Sequence, residues 1–134
     1  MGFHSAKDIY GTVFRGETAT FLARVTNESG VPLTQSDIRS IRYTVYSIDE
    51  QRPGHEVVVS GHMDITVPII TSISDTLQTG EIWTVDNTGY NFRHTPSDSE
   101  SEIFPVSNHT YLVEYQIVPT TGLPVTVRFR VQSI

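Results

Sequence analysis

Five histidines, His4, His55, His62, His94 and His109, are the side chains of this sequence best suited to move protons or bind metal near neutral pH. His55-Glu56 followed by His62 has the residue types of a zinc-protease motif, which needs two histidines four apart on one helix face. Here they stand seven apart in a stretch that alternates like a strand, so the motif is rejected. His62 and Asp64 share one face of such a strand and offer two metal ligands, fewer than a zinc site needs. A surface histidine beside a carboxylate is the simpler expectation. Asp86-Asn87-Thr88-Gly89 begins like a calcium loop, but no bidentate Glu follows at the twelfth position, and an Asx-type turn is expected instead. There is no Gly-x-Ser-x-Gly elbow, no glycine-rich loop leading from a strand into a helix, and no cysteine to supply a thiolate. These residues point away from an enzyme, and no metal or cofactor is expected.

Whatever the chain does, its backbone must first position these groups, and the stretch with the clearest period is HTYLVEYQIV-PTTGLP-VTVRFRVQ at 109–132. Tyr111, Val113, Tyr115 and Ile117 share one parity in the first run, and Val125, Val127, Phe129 and Val131 share one in the second. A strand sends alternate side chains to opposite faces, so each run has an apolar and a mostly polar side. Pro119, Gly122 and Pro124 mark the turn between them. Further strands are expected at 12–14, 17–26, 39–48, 55–60, 63–67 and 81–85. In the 39–48 run Ile41, Tyr43 and Val45 point inward. Thr34-Gln35-Ser36-Asp37 has capping-box spacing and predicts one helical turn. Residues 69–77 carry apolar side chains at helical intervals but are rich in β-branched types, which predicts a short helix or turn.

Residues 1–10 have no period and read as an arm, leaving 11–134 as one domain. From 86 to 108 periodicity disappears, and a long loop is expected. Tyr90, Phe92, Ile103 and Phe104 should anchor its ends around an acidic crest of Asp98, Glu100 and Glu102. Leu22, Tyr46 and Leu112 interrupt polar faces and together suggest an apolar patch, and the last strand reads as an open sheet edge. About seven to nine short strands with one or two helical turns indicate an all-β antiparallel sandwich. Tyr111 stands two residues before Val113, the spacing of the tyrosine corner in immunoglobulin-like domains, with apolar Val113 where a disulfide cysteine would sit.

The formal charge of -6 and pI near 5.2 argue against nucleic acid as a partner. No apolar run is long enough for a membrane helix, and the opening residues lack the basic-then-apolar pattern of a secretory leader. Eight of the nine basic residues are Arg, a type favoured at protein interfaces.

Four phrases, 15–25 (RGETATFLARV), 75–79 (DTLQT), 89–94 (GYNFRH) and 111–115 (YLVEY), resemble small immunoglobulin-like proteins encoded among phage structural genes. That resemblance implies a non-enzymatic virion protein: a capsid decoration or cement subunit, or an adaptor of the neck or tail. Its partners would be other virion subunits or a second copy of itself. The contact residues it suggests are Phe3, His4 and Tyr10 in the arm, with Tyr90, Phe92, Arg93, Ile103 and Phe104 around the loop. The alternative is a carbohydrate- or cell-surface-binding module on the same fold, using Tyr46, Trp83, Tyr90 or Phe92 as aromatic platforms.

Overall fold

The computed structural model describes residues 7–13 (backbone path only), 19–49, 51–52, 54, 56–80, 83, 86–97 and 102–134. Strands β1 (Lys7–Val13), β2 (Phe21–Ala23), β3 (Ile38–Ile48), β4 (Glu56–Val58) and β5 (Ile65–Thr66) occupy the first half. A one-turn helix α1 (Ile69–Ser72) leads into β6 (Ile73–Gln78), followed by β7 (Tyr90–His94), β8 (His109–Pro119) and β9 (Val125–Ser133). They form two sheets. The larger has the order β1-β9-β8-β3-β4, with β5 also on β3; the smaller has the order β2-β7-β6.

The centre of the larger sheet is the β8–β9 hairpin and β3, in continuous antiparallel register through Tyr43↔Tyr115↔Val127 and Val45↔Val113↔Phe129. Parity decides what is buried: Tyr111, Val113, Tyr115 and Ile117 all point to the interior, as do Val125, Val127, Phe129 and Val131. The smaller sheet lays Phe21, Ala23 and Phe92 over them. Tyr115, wholly buried, is the hub: its ring lies 4.8 Å from Phe92 and 6.2 Å from Phe21, both on the opposite sheet. Edge-to-face aromatic pairs of this kind add to the area they bury.

This strand order is that of an immunoglobulin-like sandwich, with β2-β7-β6 in the place of strands B, E and D and β9-β8-β3-β4 in that of G, F, C and C′. The tyrosine corner is present: the Tyr111 hydroxyl accepts a hydrogen bond from the Val106 N–H at 2.8 Å. Val113 joins Phe21 and Ala23 in the core where a disulfide would cross. The capping box forms too, Asp37 accepting from the Thr34 N–H at 2.9 Å, over a single 3-10 turn at Gln35–Asp37.

Four expectations change. The N-terminal segment is not an arm throughout, because β1 begins at Lys7 and runs parallel to β9 from Lys7↔Val127 to Val13↔Ser133. For the same reason β9 is not an edge. The helical reading of 69–77 holds for one turn only, after which β6 takes over and Ile73 packs inward beside Phe92. The long loop contains β7, the middle strand of the smaller sheet. Its pattern was hidden because Asn91 and Phe92, adjacent in sequence, are both buried, which destroys the alternation. Of the strand expected at 81–85 only Trp83 is described, its N–H bonded to the Gly80 carbonyl and not in a strand; its other residues and the acidic Asp98 and Glu100 lie outside the described residues.

The free side of β3 is covered by a broken strand. β4 pairs with its end and β5 with its middle, and between them Val59 N–H bonds to the Val45 carbonyl and Val45 N–H to the His62 carbonyl. Ser60 and Gly61 are thereby looped out, with Gly61 at φ 84° and Asp64 at φ 52°. Such interruptions blunt an edge against uncontrolled strand addition.

Candidate interaction surface

The outer face of the larger sheet is built from residues of the opposite parity to the core. One rung runs Val58, Tyr46, Leu112, Arg130 across β4, β3, β8 and β9. The next runs Thr44, Glu114, Arg128, and the one beyond it Arg42, Gln116, Thr126. Leu112 is buried although it faces outward and does not belong to the main core cluster. Tyr46 lies beside it, half-buried, with its hydroxyl pKa raised by burial first and then by the Glu114 and Glu56 carboxylates. The face is dished, enclosing about 280 Å³ between Tyr46, Val58, Met63, Asp64, Arg42 and Glu114. Met63 is 67% exposed at its rim, and Val57 and Ile65 are exposed along the same edge.

Charge on this face comes in pairs. Arg128 Nε donates to Glu114 at 2.8 Å, and Arg42 reaches the Asp64 carboxylate at 3.3 Å. Both pairs are partly exposed and add little to stability. Their effect is to hold long side chains in fixed positions around an apolar centre of Tyr46 and Leu112. Leu112 itself is covered, so the surface this face offers is that of half-buried Tyr46 and exposed Met63 among Arg42, Arg128 and Glu114, residue types favoured at protein interfaces together with charged ones of a polar rim. The expected patch of Leu22, Tyr46 and Leu112 therefore divides: the last two adjoin, whereas Leu22 pairs with Arg93 on the other sheet.

The residues suggested as contacts fall into three groups. Phe92, Ile103 and Phe104 are sealed in the core and do anchor their segment, but they have no surface to offer a partner. Arg93 is exposed and Tyr90 half-buried. Phe3 and His4 lie outside the described residues, and of Tyr10 only the backbone, opposite Arg130, is described. Sequence reasoning did single out Tyr46 and Leu112, but gave no signal for Met63, Arg42 or Glu114, which become neighbours only through strand pairing.

Asp86 organises a second corner. Its carboxylate accepts from the Arg24 guanidinium, the Trp83 indole N–H and the Thr88 and Gly89 N–H groups, which hold its pKa far below the usual carboxylate range, Arg24 contributing most. The expected Asx turn is present, closed by the Thr88 N–H on Asp86 Oδ1 at 3.0 Å. The Trp83 and Tyr90 rings lie 5.5 Å apart beside it, tilted by 46°, both half-buried.

Histidine chemistry goes into the interior. His62 is buried, not at the surface, and its Nδ1 lies 3.0 Å from the Tyr43 hydroxyl, while His94 Nδ1 lies 2.7 Å from the Tyr115 hydroxyl and ties the two sheets. Among the described residues no group of three or more metal-binding side chains converges. Burial pushes the His94 imidazole down to about 4 from 6.5. Between these values the unfolded chain takes up a proton that the folded one refuses, so stability is lost as pH falls from 6.5 toward 4 and is unaffected above. Discounted for the ring's partial exposure, the loss is about 2 kcal/mol. The lowered carboxyls of Asp37 and Asp86 act only at still lower pH, since their contributions persist down to the unfolded carboxylate range. Urea melts of wild type at pH about 7 and about 4.5 are expected to differ, and His94→Gln should flatten that difference.

Comparison with family models, curated proteins and solved structures found no match for the chain.

Proposed function

We propose that the protein is a non-enzymatic virion module that binds a neighbouring subunit through the outer face of its larger sheet. The observation that supports this reading is the pairing of half-buried Tyr46 with outward-facing, buried Leu112 inside a ring of ordered charges. An outer sheet face that only met water would be expected to alternate to polar residues at both positions. The resemblance to phage structural proteins supplies the setting: a decoration, cement or adaptor role in the particle.

Co-sedimentation of the purified chain with purified particles tests the proposal. The wild-type protein is expected to co-migrate, and Tyr46→Ala to weaken that binding about tenfold or more, as loss of a central aromatic contact does. Circular dichroism should show the variant still folded. A wild-type chain that never migrates with particles, or a folded Tyr46→Ala protein that binds undiminished, overturns it.

A second reading, a carbohydrate-binding module, is favoured by the adjacent, half-buried Trp83 and Tyr90 rings beside Arg24 and Asp86. Hits on a glycan array that disappear in Trp83→Ala would select it over the first.

A further inference from the structure

The charges of the outer face are arranged by strand. Within the regular ladder, the β4–β5 side carries two acids, Glu56 and Asp64; β3 carries one base, Arg42; β8 carries one acid, Glu114; and β9 carries two bases, Arg128 and Arg130. Over these four columns, with β1 lying beyond β9 and described only as backbone, the signs read from one side run doubly negative, positive, negative, doubly positive. Read from the other side, every sign is inverted. The face is balanced within a chain whose net charge is -6.

A surface with that antisymmetry is complementary to itself under one rotation. Turning a copy by a half-turn about an axis parallel to the strands, lying between β3 and β8, sets the β4–β5 column against β9 and β3 against β8. Each column then meets the opposite sign. Asp64 comes opposite Arg128, which lies on the rung of Thr44, and Glu56 comes within one rung of Arg130. In the centre Tyr46 faces Leu112 of the other copy, on the same rung. The other half-turn, about an axis across the strands, sets like against like and is disfavoured. We infer that this face binds a second copy of the chain, forming a twofold dimer with the strands of the two large sheets running nearly parallel.

Closed twofold interfaces need self-complementary patches, which this arrangement supplies. The four strands cover roughly 19 Å by 23 Å of sheet, on the order of 450 Å² per copy before side-chain relief. That doubles to about 900 Å² in total, the size of a weak, transient contact, for which a dissociation constant of micromolar or weaker is expected. The inference rests on the reading of this face as the working surface, and it names the partner.

Sedimentation velocity from about 5 µM to about 500 µM tests it, with the wild-type chain expected to pass from monomer to dimer across that range. Glu56→Arg alone and Arg130→Glu alone should each stay monomeric, because each sets like charges together at both symmetry-related contacts. An equimolar mixture should dimerise again: one contact is then reversed in sign and the other is native. A merely misfolded variant cannot be rescued by mixing, so this outcome separates charge pairing from structural damage. A wild type monomeric throughout, single variants that dimerise like wild type, or a mixture that stays monomeric overturns the inference. The assay uses the chain alone, so a monomeric chain that still binds particles sinks the dimer and leaves the docking proposal standing.

Discussion

Replacing Asn91 by Ala will destabilise the protein by about 3–5 kcal/mol, enough to consume much of the stability of a domain this size. Asn91 is buried in β7, and its amide acts as a surrogate peptide group. Its Oδ1 accepts from the Val25 N–H at 2.7 Å, and its Nδ2 donates to the carbonyls of Val25 at 2.9 Å and Leu33 at 2.8 Å. Regular pairing of β2 with β7 stops at Ala23, so the side chain takes over where the backbone ladder ends and also holds the returning Leu33 segment. Truncation leaves the Val25 N–H and the Leu33 carbonyl without that partner in the interior, each costing about 1–3 kcal/mol if water cannot reach it, while the Val25 carbonyl keeps the Leu33 N–H at 3.0 Å. Asn91→Asp should be nearly as harmful, because a carboxylate keeps the acceptor but turns lone pairs toward two carbonyls. Urea denaturation monitored by tryptophan fluorescence measures both, and a loss under about 1 kcal/mol for Asn91→Ala contradicts this account.

Gly89→Ala is expected to cost about 3 kcal/mol or more, a large effect for one methyl group. Gly89 is buried at φ 105°, a conformation that side chains resist. A Cβ there would run into the Gln78 carbonyl oxygen, with the Gln78 carbonyl carbon 3.0 Å away and the Thr79 methyl at 3.2 Å. Backbone, not a flexible side-chain tip, would have to move, and with it the β6–β7 contact and the Asp86 turn that Gly89 N–H completes at 3.1 Å. Gly122→Ala provides the control. It shares the left-handed backbone, at φ 97°, but its Cβ would meet nothing within 4 Å, so only the conformational cost of about 1 kcal/mol applies. Equal losses in the two variants would show that the Gln78 contact is unimportant.

The contrast between these positions and the β8–β9 hairpin shows what the residues disclose by themselves. Tyr111 to Ile117 and Val125 to Val131 alternate because each strand has one dry face and one wet face, and period is all that is needed to read them. The capping box and the Tyr111 corner were legible for a similar reason: both are local, spanning three and five residues. β7 was not, since a buried amide replaces an apolar side chain and its reason lies in backbone groups 58 and 66 positions away. Nor could period show that His62 is buried and His94 half-buried, because the tyrosine hydroxyls that satisfy them come from other strands. The outer face of the larger sheet was half-visible. Tyr46 and Leu112 stood out as apolar interruptions, while the sign pattern around them exists only once β4, β3, β8 and β9 are set side by side.

The parallel pairing of β1 with β9 joins segments about 120 residues apart, the most distant contact in the fold, from Lys7↔Val127 to Val13↔Ser133. Loop closure of that span comes at an entropic cost that no local contact can offset beforehand. During synthesis β1 emerges before β9 and must therefore wait for it before it has a template. Until then β1 is unpaired, and a nascent chain passes through an interval in which the strand of another molecule can compete for it.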